Sequence, residues 1–212
     1  MEPARPVPPF TISDTVTYSW NATLRNFGPL MLVSLVVFVG NALAILIGEA
    51  NGTVGLDLAF NLIAVLVDLL LVLGLIRASL DVVQGRRPSV GEVFRPEGVG
   101  PYLVASIFYL VGVYLGLVVL VLPGVVFGVI FQFYGYVVAE HPDVSAMTAL
   151  RRSAEITKGT RLRLVGLAGV LFLVNVTGAL VCVVGLVVTY AITAIAIAYT
   201  YRILTDQPVA TL

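Results

Sequence analysis

The sequence predicts an all-α membrane protein with six transmembrane helices, arranged as three hairpins that each follow a short cytoplasmic interfacial helix. Three observations lead there. Apolar residues make up 59% of the 212 positions and charged residues only 11%, too few charges for a soluble domain of this size to expose. The apolar residues gather into runs of about 20, the length that crosses ~30 Å of hydrocarbon at ~1.5 Å per residue. Finally, all twelve Lys and Arg residues can be placed on one side of a membrane. The segments that hold them alternate with segments holding none, which is the asymmetry of cytoplasmic and outer loops.

Residues 1–28 form the first element, a mixed polar segment before the first apolar run. No cleavable signal is evident in it, so that run reads as an anchor. Ile12, Val16, Trp20, Leu24 and Phe27 recur at helical spacing, with Ser13 as the N-cap. The membrane domain, 29–203, accommodates spans near 29–48, 58–76, 102–122, 124–140, 162–183 and 185–203; four spans is the competing count. The third and fourth share one apolar run from Tyr102 to Ala139. As a single helix that run would be roughly 57 Å long, so it must fold back. Pro123-Gly124 is the expected turn, with Gly185 playing the same part between the last two spans.

Two loops complete the pattern. In 77–101, Ser89-Val-Gly-Glu92 reads as a capping box ahead of Val93 and Phe94. In 140–162, Val144, Met147, Leu150 and Ala154 share a face, Arg151, Arg152 and Lys158 lie elsewhere, and Gly159 stops the helix. Residues 204–212 are a short tail. Both termini and both loops are expected in the cytoplasm, in a plasma (inner) membrane protein.

The formal net charge is zero, which argues against nucleic acid as a partner. Cys182 is the only cysteine and His141 the only histidine, leaving no thiolate metal site, no nucleophile–base pair and no expected cofactor. The sharpest candidate is Asp68, near the middle of the second span, where an ionised carboxylate costs at least ~2.5 kcal/mol. Asn61 shares its helix face, and Asn41 in the preceding span is within plausible reach. Three readings stay open: a protonated acid hydrogen-bonded within the bundle, a proton or cation site on a transport path, and a solvated acid beside an oligomer cleft. The second candidate is a basic face of Arg151, Arg152, Lys158, Arg161 and Arg163. These charges either set topology or hold anionic phospholipid headgroups.

Small and polar residues also form stripes: Tyr102, Ala105, Tyr109, Gly112 and Gly116 on the third span, and Gly124, Gly128, Gln132, Tyr136 and Ala139 on the fourth. On the sixth they are Thr189, Thr193, Ala196 and Thr200. Helix packing explains such stripes, and so does the lining of a solvated path. Trp20, Tyr18, Tyr136 and Tyr201 are placed as an interfacial aromatic belt.

Two stretches carry a resemblance: Leu122-Pro123-Gly124 to Gly128 with Tyr136 to Glu140, and Ala149-Leu-Arg-Arg-Ser153 with Thr157-Lys-Gly159 and Arg161-Leu-Arg163. They are similar to the bacterial six-helix membrane family that includes the membrane domain of glycerophosphoryl diester phosphodiesterases. Arg86-Arg87-Pro88-Ser89 with Phe94 resembles that family's loop after its second span. The resemblance implies the six-helix fold, and it brings no catalytic residues, because phosphodiesterase members keep their chemistry in a separate soluble barrel. The expected function is therefore non-catalytic: membrane organisation, lipid interaction, or support of a membrane-protein partner or second copy. The alternative is a small-solute or ion transporter working through the midplane around Asp68.

Overall fold

The computed structural model describes residues 10–49, 54–89, 91 and 95–211, without the side chains of 41, 42, 44–49, 54–60 and 182–184. Among the described residues the chain is helical and contains no strand. The helices are α1 (Ile12–Arg25), α2 (Phe27–Glu49), α3 (Val54–Val83), α4 (Val99–Val119), α5 (Val121–Phe131), α6 (Tyr134–Glu140), α7 (Ala146–Ile156), α8 (Arg161–Leu180) and α9 (Cys182–Leu204). Five described stretches are long and apolar enough to cross a membrane: Asn61–Val83, Val99–Val119, Val121–Glu140, Arg161–Leu180 and Gly185–Leu204. The bent pair of α1 and the start of α2, which turns by 98°, brings the number to six if it is taken as one span.

Sequential helices are close neighbours: α2 packs along α3, α4 along α5, and α8 along α9. Helix α9 also touches α1, α2 and α3, and it is the most enclosed of the long helices. Outward-facing residues are apolar, as in Val104, Phe108, Leu115, Leu122, Phe172 and Leu180. A surface of that kind is stable only against lipid or another apolar partner.

Both helix reversals fall earlier than expected, and for the same reason. Between α4 and α5 the chain turns at Leu120, which is extended (φ −161°, ψ 141°). Pro123 lies inside the first turn of α5, where its missing N–H costs nothing. Gly124 serves the packing: a Cβ on Gly116 would come within 2.7 Å of its Cα. Between α8 and α9 the turn is Val181. Gly185 lies in the first turn of α9, where a Cβ would overlap the carbonyl oxygen of Gly178. These glycines mark the closest approach of two antiparallel helices.

The stripe predicted on the fourth span is split by a break at Gln132-Phe133. Up to the break, the α4 and α5 stripes meet: the Tyr109 hydroxyl donates to the Gly128 carbonyl at 3.4 Å. Beyond it, Tyr134 takes the α4 side, stacked near Tyr102 and bonded to Ser106 at 2.8 Å. Tyr136 turns instead to the Ala194 carbonyl on α9, at 3.2 Å. The break is held from outside by α7. Ser153 Oγ accepts from Phe133 N–H and donates to the Ile130 carbonyl, both at 3.0 Å, and Thr157 Oγ1 donates to the same carbonyl at 3.3 Å.

Helix α7 starts on Ser145, whose Oγ accepts from Thr148 N–H, and stops before Gly159 (φ 87°). It buries Ala149, Leu150 and Ser153 against the bundle, while Met147, expected on the same apolar face, is 57% exposed. Helix α1 behaves differently. It turns Thr15, Ser19, Ala22 and Thr23 inward and leaves Trp20 and Leu24 about half exposed, as is Phe27 at the start of α2. Its cap is Thr11 rather than Ser13, and the Thr11 hydroxyl is spent on Asp14. Small hydroxyl residues let α1 lie close on α9, and of the predicted apolar stripe Ile12 and Val16 pack on the core while Trp20 and Leu24 stay outward. The helix expected around Ser89–Phe94 falls largely outside the described residues.

Candidate functional site

Asp68 sits at the middle of α3, roughly 22 Å from its Val83 end at ~1.5 Å per residue. The helix runs on past residue 76, so Arg77, expected in a loop, is helical and buried. Asp68 is half-buried and lies within electrostatic reach of Tyr190 on α9. Asn61, two turns earlier, is exposed. Asn41 belongs to α2, with its side chain outside the described residues. Among the described residues, the structure thus places Tyr190 near Asp68. Tyr190 lies between Thr189 and Thr193 of the predicted stripe, and the fourfold spacing rule passed over it.

Tyr190 also lines two cavities of about 280 and 260 Å³, one beside Ser34 and the other beside Gln132. A third, of about 210 Å³, shares Gln132, Asn175 and Thr193 with them. Asn175 Nδ2 donates to Thr193 Oγ1 at 2.8 Å, joining α8 to α9. Ser34 Oγ and Gln132 Nε2 are the buried side-chain polar atoms that lack a hydrogen-bond partner among the described residues. In a bundle that contacts lipid, such atoms are satisfied by water or a bound polar molecule in the adjoining cavity.

A second polar system closes one end of the bundle. Glu140, at the end of α6, accepts from Arg202 Nη1 at 3.2 Å, Tyr201 hydroxyl at 2.9 Å and Gln207 Nε2 at 3.0 Å. Arg202 Nε and Nη2 donate to the Pro208 carbonyl at 2.9 and 2.7 Å. The tail then continues to Ala210, whose N–H donates to the Val83 carbonyl at 2.9 Å and whose carbonyl accepts from Tyr18 at 3.2 Å. Burial pushes the Tyr18 phenol up to about 12, with Tyr199 beside it adding to the effect. It therefore stays a proton donor throughout the physiological range. Tyr201 and Tyr136 are almost fully buried, so the aromatic belt expected of them does not include either.

These contacts put α1 and the ends of α3, α6 and α9 together. Arg151, Arg152, Lys158, Arg161 and Arg163 are all exposed, on α7, the following turn and the first turn of α8. They form a rim and do not converge on a pocket. The Glu140–Arg202 cluster was missed in the sequence, where Glu140 entered only as the end of the Tyr136 to Glu140 stretch. The available signal was that an acid and a base close two different spans at the same end. No group of three or more His, Cys, Asp or Glu suited to a metal ion occurs among the described residues.

The chain is 26% identical over 91% of its length to Uncharacterized protein Rv2560 of Mycobacterium tuberculosis, of which it covers 68%. Uncharacterized protein Mb2590 of Mycobacterium bovis matches at the same identity and coverage. No family model and no solved structure matches the chain. Its long apolar helices make it a membrane protein.

Proposed function

We propose that the protein is a non-catalytic, six-span protein of the plasma membrane, with both termini in the cytoplasm, that binds anionic phospholipid through its basic end. One observation carries this reading: the exposed Arg151, Arg152, Lys158, Arg161 and Arg163 run into the start of α8, which packs on α1, and α1 leaves Trp20 and Leu24 exposed. A polar-basic ring beside an apolar interfacial helix matches the headgroup level of a bilayer, where each basic residue contributes about 1 kcal/mol toward anionic lipid. Arg151→Gln with Arg152→Gln is expected to lower the phosphatidylglycerol or cardiolipin that co-purifies, as quantified by mass spectrometry. Unchanged lipid content would leave the rim with topology alone.

A second reading, transport of a proton or small polar solute, is favoured by the linked cavities around Tyr190 and by their two unsatisfied polar atoms. Asp68→Asn separates the two. It keeps the side chain's shape and removes its titratable proton. On the lipid reading, Asp68→Asn proteoliposomes loaded with a pH-sensitive dye behave as the parent does. Proton movement present in the parent and lost in the variant would reverse the order of the two readings.

A further inference from the structure

A cavity of about 210 Å³ lies between α8, α9 and the break that separates α5 from α6. Gln132, Asn175 and Thr193 line it with polar groups, and Leu167, Leu171 and Ile197 are among its apolar walls. Gln132 Nε2 is buried and has no hydrogen-bond partner among the described residues.

The polar groups around that amide are engaged elsewhere. Thr193 Oγ1 accepts from Asn175 Nδ2 and donates to the Thr189 carbonyl, both at 2.8 Å. Asn175 Nδ2 also donates to the Leu171 carbonyl at 2.8 Å. The helix break makes no use of the Gln132 amide either, because Ser153 and Thr157 serve Phe133 N–H and the Ile130 carbonyl. A donor held this way in an apolar surround is costly unless an acceptor occupies the space beside it.

The cavity itself narrows the choice of occupant. Its lining carries no ionisable side chain, so an uncharged molecule suits it. Phe172, also in the lining, is 67% exposed on the outward apolar surface, so the approach is from lipid. Thr193 stands nine residues before Arg202 in α9, roughly 13 Å at ~1.5 Å per residue, against a hydrocarbon half-thickness of ~15 Å. Phospholipid ester carbonyls stay at the headgroup boundary and do not reach that depth. The volume exceeds the ~150 Å³ that takes a benzene ring.

We propose that this cavity binds the ring of a lipid-soluble quinone, one carbonyl oxygen of which accepts from Gln132 Nε2. Such a molecule is uncharged, partitions into the bilayer interior and carries its acceptor on a flat ring that fits the space. The site uses neither the basic rim nor the carboxyl group of Asp68, so it stands or falls apart from anionic-lipid binding and from proton movement.

The test uses the full chain in nanodiscs of phosphatidylcholine. Decylubiquinone is titrated as the probe and dioleoylglycerol, an uncharged lipid with ester carbonyls, as its comparator; retention is read by native mass spectrometry. Decylubiquinone is expected to bind saturably, at one per chain, and dioleoylglycerol to show no saturation. Gln132→Leu should weaken quinone binding about three- to tenfold, the loss of one neutral hydrogen bond. Ala168→Phe fills the cavity from α8, leaves the amide in place and should abolish saturable binding. Arg151→Gln with Arg152→Gln should leave binding unchanged. Unchanged helicity and elution verify the fold of each variant. No saturable retention of decylubiquinone by the parent overturns the proposal. So does parent-like retention by Gln132→Leu or Ala168→Phe, or a preference for dioleoylglycerol.

Discussion

Arg202→Met is expected to destabilise the protein by about 3–5 kcal/mol, the cost of removing one partner from a buried ion pair. The Arg202 and Glu140 side chains are 9% and 12% exposed, so water replaces little of what is lost. Glu140 keeps Tyr201 and Gln207 as donors but loses the counter-charge of Arg202. The same substitution also removes both hydrogen bonds to the Pro208 carbonyl and so frees the tail. Glu140→Met combined with Arg202→Met should recover most of the loss, because no buried charge is then left alone. The remaining deficit measures the Pro208 bonds. Thermal unfolding of the purified protein in nanodiscs reads all three variants. A single-variant loss below about 1 kcal/mol, the size of an exposed pair, would show that the cluster is solvated.

Ser153→Val is the second large effect, expected at about 1–3 kcal/mol for a buried polar group left without its partner. The residue is fully buried, and its hydroxyl serves both sides of the break in the fourth apolar stretch. Without it Phe133 N–H loses that acceptor, whereas the Ile130 carbonyl keeps Thr157. Thr157→Val should therefore cost less, since Ser153 still reaches Ile130. Hydrogen exchange at Phe133 should rise in Ser153→Val and change little in Thr157→Val. Equal exchange in the two variants would show that the break does not depend on α7.

Much of the architecture was legible in the sequence because it follows from periodicity and length. The apolar runs fall on the long helices, 12–26 falls on α1, and Gly159 ends the segment that contains α7. Local signals located the reversals poorly. A Pro-Gly pair and a lone Gly indicate where backbone is unusual or close, and here both indicate close approach. The turns themselves need only Leu120 and Val181, which nothing in their chemistry singles out. The break at Gln132-Phe133 was hidden for a different reason: its stabilising hydroxyls come from a helix about twenty residues further along.

The candidate sites divide along the same line. Asp68 stood out as an acid in an apolar run, and the basic rim as a cluster in one segment. Tyr190 and the Glu140–Arg202 pair depend on which helices meet. That information is tertiary, and no spacing within one helix contains it.

The docking of α1 on α9 constrains the order of assembly during synthesis. Tyr18 bonds to Ala210, 192 positions later, and Thr15, Ser19 and Thr23 lie on the α1 face that is buried in the finished bundle, where α9 is the main neighbour of this helix. Helix α1 leaves the ribosome well before α9 and must therefore wait for its main packing partner until α9 has been made. At ~5–20 residues per second that interval is on the order of ten to forty seconds. Throughout it the exposed Trp20 and Leu24 offer the segment an apolar mooring at a bilayer surface.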